Sequence, residues 1–366
     1  MSIKNKIYLT IIILFTGIFA FGQSTRNKET EITSFLDSLN QDDFSGTVLV
    51  AHNNKIIEKR AYGQASIEFN VKNNIDTKFN IASITKLFTA VATLQLYEKG
   101  KIKLNIPIGE YLPDYPNKVV RDSVTVHQLL THTSGLNNFY VADFDKIKNS
   151  DYKNISDFVP LFVNDTLLSK PGTKYDYSAT GFVILGLIIE KVSEKSYYDY
   201  LRDNIFKPAE MVNTTELEID SIVHNKASGY TSMFGENKTL KKNEYYLTKA
   251  SPGGFYYSTV SDLFNFSKSL RNYRLLEKET TELMFEPKVK GYNTHMGYGI
   301  GVDQRYNQII LGHSGGWYGI HCELMDFIED QYTIVILSNM DDGGNNGASK
   351  LSDFFMELIA DKKQEK

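Results

Sequence analysis

What this chain lacks narrows the reading before anything it contains. Its 366 residues include a single cysteine, Cys322. One thiol excludes an intrachain disulfide and any cysteine-rich metal site, and a chain of this length buries enough apolar surface to do without a staple. No run of Lys and Arg interleaved with aromatics stands out, so nucleic acid is a poor fit as a partner. Internal repeats and low-complexity tracts are also missing, so the chain reads as one globular unit or two intimate ones.

The N-terminal 22 residues form a segment of their own. Lys4 and Lys6 precede an apolar run from Ile7 to Ala20, and Ala20-Phe21-Gly22 offers small residues at the −3 and −1 positions of a cut before Gln23. This is the layout of a secretory signal peptide. The apolar run falls short of the roughly 20 residues that span a bilayer, and no cysteine follows it to take a lipid. The expectation is export to a periplasm or the medium, with no stable membrane anchor after cleavage. The formal charge of −4 becomes −6 once the two lysines leave.

Past residue 45 the pattern alternates in blocks. Gly46–Ala51 and Lys55–Tyr62 are β-branched and apolar, and His52-Asn53-Asn54 between them reads as a hairpin turn. Ser83 opens a helical segment in which Ile84, Leu87, Phe88, Val91 and Leu94 recur at spacings of three and four, with Gly100 as its stop. Helices are expected over Phe182–Val192, Tyr197–Phe206, Ser261–Leu270 and Ala348–Ala360. Strands are expected over Gly297–Arg305, Gln308–His313, Ile320–Ile328 and Tyr332–Ser338. Strands at both ends around a helical middle predict an α/β (α+β) fold whose sheet is formed from both termini and flanked by helices. The expected division is an α/β domain from 23–85 plus 258–366, a helical domain over 86–257, and an active site in the crevice between them.

Ser83-Ile84-Thr85-Lys86 is the first motif with chemistry in it. Residues three apart share a helix face, so the Lys86 amine lies near the Ser83 hydroxyl, which needs a neighbouring base to become a nucleophile. Lysine serves as that base if burial lowers its pKa. The pattern is cheap on its own: Ser150-Asp151-Tyr152-Lys153 repeats it in a polar stretch that reads as surface. Two further elements follow in order. Pro171-Gly172-Thr173-Lys174-Tyr175-Asp176-Tyr177-Ser178-Ala179-Thr180-Gly181 runs into an apolar helix, and Gly312-His313-Ser314-Gly315-Gly316 follows a strand.

With these motifs, and with Leu129-Leu130-Thr131-His132-Thr133-Ser134-Gly135-Leu136 and Pro252-Gly253-Gly254-Phe255, the chain resembles the serine β-lactamase and penicillin-binding protein superfamily. The likeness is to its class C-like branch, which includes D,D-peptidases and esterases, and it covers about residues 30 to 360. The resemblance implies that Ser83 is the acylated nucleophile and Lys86 its proton partner. It makes Tyr177 the shuttle to leaving group and water, with Lys86 and His313 as the cations that would lower its pKa. The N–H groups of Ser83 and Gly316 would form the oxyanion hole, with Ser314 and Gly315 beside the substrate.

Tyr175 competes with Tyr177 for the phenol role, and the spacing to Ser178 and Gly181 favours Tyr177. Ala179 stands where the family has an Asn that contacts acylamino substrates. Trp317 and Tyr318 either line the crevice or pack at the sheet edge. His127 and His132 invite a metal reading but lack an acidic partner at helical spacing. The glycine-rich run Asp341–Gly347 lacks the Lys-Ser/Thr of a phosphate loop and reads as a turn.

The expected function is acyl transfer without metal or cofactor, through an acyl-Ser83 intermediate. The substrate would be a D-amino-acid peptide, a small carboxylic ester or, ranked last, a β-lactam. A transpeptidase and an acyl-serine sensor with little turnover remain as alternatives. The partners are a small-molecule or peptide substrate, and the oligomeric state is left open.

Overall fold

The structure is a computed structural model and describes residues 28–40, 44–140, 151–216, 221–233, 239–305, 307–341 and 347–360. The expected signal segment, Ser150, residues 342–346 of the glycine-rich run and the tail 361–366 lie outside the described residues. Asn53 and Asn54 take left-handed φ values of 52° and 60° and close the expected hairpin between β1 (Gly46–His52) and β2 (Lys55–Tyr62). Two successive left-handed residues are what a two-residue hairpin turn needs, and Asn adopts that conformation at small cost.

The C-terminal third supplies six more strands: β3 (Val289–Lys290), β4 (His295–Met296), β5 (Gly301–Arg305), β6 (Gln308–Trp317), β7 (Ile320–Phe327) and β8 (Tyr332–Ser338). They join β1 and β2 in one antiparallel sheet of order β2-β1-β8-β7-β6-β5-β4-β3. β1 and β8 pair from Gly46↔Ser338 to His52↔Tyr332, so strands from the two ends of the chain meet at its centre. β8 is buried on both faces, which is why its sequence is a continuous apolar run rather than an alternating one.

Helices cover both faces. On one, α1 (28–38) and α9 (Ala348–Ala360) pack Ile32, Leu36, Leu351 and Phe355 against Val48, Val50, Ile334 and Ile336. The alternate residues Leu49, Ala51, Val335 and Leu337 face the larger core. That core includes α2 (Thr85–Glu98), α5 (Ala179–Ser193) and α7 (Val260–Arg271). Two short helices, α3 (Lys118–Ser123) and α4 (Val126–Leu130), lie between α2 and α5. α6 (Tyr197–Leu201) continues into a wider π-helical turn over Arg202–Phe206. The expected α+β class, an antiparallel sheet flanked by helices, is what the structure has.

Several boundaries differ from expectation. β5 begins at Gly301 rather than Gly297, because Gly297–Ile300 is a turn: the Gly297 N–H donates to the Ile300 carbonyl at 2.9 Å, and Gly299 has φ 68°. β6 runs four residues past His313, to Trp317. α2 starts at Thr85, preceded by one 3-10 turn over Ala82–Ile84. α8 (Lys278–Phe285), β3 and β4 carried no periodic signal long enough to be read in advance.

Candidate active site

Ser83 sits in that 3-10 turn, partly accessible, directly ahead of the buried helix α2. Its chain neighbour Ala82 has φ 40°, a left-handed backbone that costs a side chain-bearing residue about 1–2 kcal/mol. The conformation is held from both sides. The Ala82 N–H donates to Asn80 Oδ1 at 2.9 Å, and the Ala82 carbonyl accepts the Phe255 N–H at 3.3 Å. Phe255 is itself left-handed, with φ 77°. Two strained non-glycine residues are thus hydrogen-bonded to each other beside the serine, a pattern that clusters at functional sites.

Lys86, in the first turn of α2, is 1% exposed. Its Nζ lies 3.0 Å from Ser83 Oγ and donates to the Gly253 carbonyl at 2.5 Å. Burial pushes the amine from its usual 10.5 down to about 7, because desolvation disfavours the charged form. The neutral amine is therefore well populated at physiological pH.

Tyr177 completes the group. Burial pushes the phenol's pKa well above the usual 10, outweighing the Ser83 side chain, which acts on the hydroxyl and favours ionisation. Its ring centroid lies 4.9 Å from Lys86 Nζ. Position 177 is set by the helix that follows: Ser178 caps α5, its Oγ accepting the Gly181 N–H at 3.4 Å. Tyr175 packs edge-on to Tyr292 at 5.0 Å and to His132 at 5.9 Å. The structure brings Tyr177, not Tyr175, to the serine.

His313 approaches from β6, its ring 6.4 Å from that of Tyr177. Desolvation and then the Lys86 charge lower its pKa to about 4. The expectation that Lys86 and His313 act as cations on Tyr177 is corrected here. His313 is neutral near pH 7, Lys86 is close to half neutral, and burial is the largest influence on the phenol.

β5 pairs with β6 only as far as Gly312. From His313 to Trp317 the strand runs on past that partner and alongside Ser83. A Cβ on Gly315 would lie 2.4 Å from the Ile81 carbonyl oxygen and 3.2 Å from the Ser83 amide nitrogen, whereas one on Gly316 would meet nothing within 4 Å. Gly315 is the point of closest approach, and the exposed Ser314 and Gly316 flank it. Trp317 is half-buried, its ring 5.6 Å from Tyr140 and 6.0 Å from Phe255, and its Nε1 donates to the Tyr246 carbonyl at 2.7 Å. Beside His313 and Ser314 a cavity of about 460 Å³ continues past Tyr175 and Tyr292 toward Glu323.

Ala179, expected to face substrate, does not. It is 1% exposed, and a Cβ on Gly253 would stand 3.1 Å from its methyl. The position forms wall behind Lys86 rather than a group presented to the crevice. The two histidines offered as a metal pair have separate partners: His127 Nδ1 and the Tyr298 hydroxyl are 2.9 Å apart, while His132 Nδ1 accepts the Ser178 N–H. Among the described residues no three His, Cys, Asp or Glu side chains converge on a metal position.

A family model described as Beta-lactamase matches residues 34–351. The chain belongs to that family. The beta-lactamase family membership carries the general reaction class, hydrolysis through an acylated serine. Penicillin-binding protein 4* of Bacillus subtilis (strain 168) is 30% identical over 87% of this chain and 73% of its own length. Protein flp of Staphylococcus aureus (strain MW2) is 26% identical over 80% of this chain, which spans 59% of that relative. Among solved structures, the penicillin-binding protein from Bacillus halodurans aligns with a TM-score of 0.78 at 28% identity, over 85% of this chain and 97% of its own.

Sequence reasoning missed Ala82, Gly253 and Phe255 as parts of the site. Nothing about an Ala or a Phe announces a left-handed backbone, and a carbonyl acceptor has no side-chain signature. The phrase Pro252-Gly253-Gly254-Phe255 was the one available signal.

Proposed function

We propose that the protein hydrolyses an ester or amide through an acyl-Ser83 intermediate. The observation that carries this reading is the buried Lys86 amine, 3.0 Å from Ser83 Oγ, with a pKa near 7. The neutral amine takes the Ser83 proton as Oγ adds to the substrate carbonyl. The N–H groups of Ser83 and Gly316 then stabilise the oxyanion, a contribution that is often the largest in acyl transfer. Tyr177, a neutral phenol at rest, hands its proton to the leaving group and takes the one on Lys86. It then relays the proton of the attacking water to Lys86, which returns it to Ser83 Oγ as the acyl group leaves. His313, Ser314, Gly315 and Trp317 line the substrate path.

Esters and D-amino-acid peptides are the preferred substrates. A β-lactam ranks behind them, because the buried Ala179 leaves no side-chain amide from that position in the crevice. The reading includes a division into 23–85 plus 258–366 and an inserted 86–257, with the site between them. It also includes export by cleavage after residue 22. Among the described residues no helix is long and apolar enough to cross a membrane.

The test is covalent labelling. A fluorophosphonate or a fluorescent penicillin should add one equivalent by intact mass, mapped to the peptide containing Ser83. Labelling that persists in Ser83→Ala, or that maps to Ser150, would overturn the assignment. Rapid loss of the penicillin label supports turnover, whereas a label stable for hours supports the sensor alternative.

A further inference from the structure

Both chain neighbours of Tyr177 are tied to one residue. The His132 carbonyl accepts the Asp176 N–H at 2.8 Å, and His132 Nδ1 accepts the Ser178 N–H at 3.1 Å. Between these ties the imidazole stacks on the Tyr177 ring, with centroids 4.4 Å apart and 29° between the planes. The Phe182 ring lies 5.1 Å from the same imidazole. His132 is 1% exposed and left-handed, with φ 55°, a conformation in which His is enriched among non-glycine residues.

We propose that His132 is the positioning residue for Tyr177, fixing its ring plane and the backbone on either side so that the hydroxyl stays on Ser83. This inference rests on the acyl-Ser83 reading above. A proton-transferring phenol loses rate steeply when displaced, by about 10²-fold for an ångström. The stack fixes the ring and the two hydrogen bonds fix the chain that carries it.

The chemistry of the imidazole fits this use. Nδ1 accepts a hydrogen bond only from the neutral tautomer that carries its proton on Nε2. Burial, then Lys86 and His313, hold the ring neutral by keeping its pKa well below 6.5. Nε2 has no hydrogen-bond partner among the described residues, and a buried donor left in that state costs stability. A Phe ring would pack there without that cost, so what the imidazole adds is the acceptor for Ser178.

A double-mutant cycle tests the inference, read with p-nitrophenyl acetate. Its leaving group departs as the anion and Lys86 loses its proton to solvent, so kcat reports deacylation, in which the proton of attacking water is relayed through the Tyr177 hydroxyl to Lys86. His132→Asn keeps a side-chain acceptor and tolerates the left-handed backbone but loses the stack; His132→Phe keeps the ring and loses the acceptor. Each should lower kcat about 10- to 100-fold with KM within about twofold. In a Tyr177→Phe background the same changes should cost less than about threefold, because the hydroxyl they position is gone.

Equal losses in both backgrounds would show a merely structural role and overturn the inference. A crippled Tyr177→Phe beside a fully active His132→Asn overturns it alone. A fully active Tyr177→Phe overturns it together with the role given to Tyr177. Thermal unfolding is measured for every variant; should His132→Asn fail to fold, His132→Phe, which conserves the buried ring volume, carries the same cycle.

Discussion

A lysine that is to accept a proton must first lose its own, and the burial of Lys86 does that work. With a pKa of about 7, the amine is roughly a tenth neutral at pH 6 and nine-tenths neutral at pH 8. The proposed base is the neutral form, so kcat/KM should rise about tenfold between pH 6 and 8 and level off above. His313, at about 4, stays neutral throughout and should add no step in that window. A pH–rate profile for a neutral ester checks this. A rate still climbing at pH 9.5 would mean that the amine keeps an ordinary pKa and that burial does not set the base. At this scale the sequence was informative about identity and poor about state. That Ser83, Lys86 and Tyr177 come together was legible from motif order, whereas the neutrality of His313 and the height of the phenol pKa depend on desolvation, which no spacing encodes.

The elements matter through one extension. β6 was legible as a strand to His313, but its run to Trp317 was not, because Gly315 and Gly316 read as a break. In the structure those glycines are where the strand passes the serine, and they are not equivalent. Gly315→Ala would drive a methyl to 2.4 Å from the Ile81 carbonyl oxygen, whereas Gly316→Ala meets open space. Gly315→Ala is therefore expected to lower kcat/KM by about 10²-fold or more, with a strained-packing cost of about 1–3 kcal/mol. Gly316→Ala should stay within a few-fold of wild type, since its N–H is retained. Kinetics and thermal melts on the two variants decide it; equal effects would mean that the strand does not approach the Ser83 loop as described. The hairpin at Asn53 and Asn54, α7, β8 and α9 were legible almost to the residue, from turn residues, helical periodicity or an unbroken apolar run, whereas α5 begins at Ala179, three residues before the expected Phe182. α8, β3 and β4 were not, being too short for a period to develop.

At the scale of the whole molecule, the sequence pattern showed strands at both ends around a helical middle, and the pairing of β1 with β8 is how the ends are joined. What it could not show was how closely the two junctions of the middle segment run. Phe79–Asn80 pairs with Tyr257–Ser258, and the Ile81 N–H donates to the Tyr256 carbonyl at 2.9 Å. A fragment ending at residue 257 would lack β3 to β8 and leave β1 without its inner neighbour, exposing Val48 to Ala51 on both faces. Expressed alone, residues 23–257 are expected to be insoluble or unfolded by circular dichroism and unlabelled by fluorophosphonate. A soluble, labelled fragment would contradict this.

The same pairing has a consequence in time. Gly46 meets Ser338 only after nearly the whole chain exists, and contacts between residues so far apart form slowly because a long loop must close first. The serine and its lysine are made early, in the first quarter of the chain, but the strand that passes them comes from its last sixth. Until that strand forms, Ser83 lacks the Gly315–Gly316 segment that the proposed oxyanion hole requires. On the proposed reading, Ser83 becomes reactive only with the final strands, so the fold itself delays acylation of the serine until the sheet is complete.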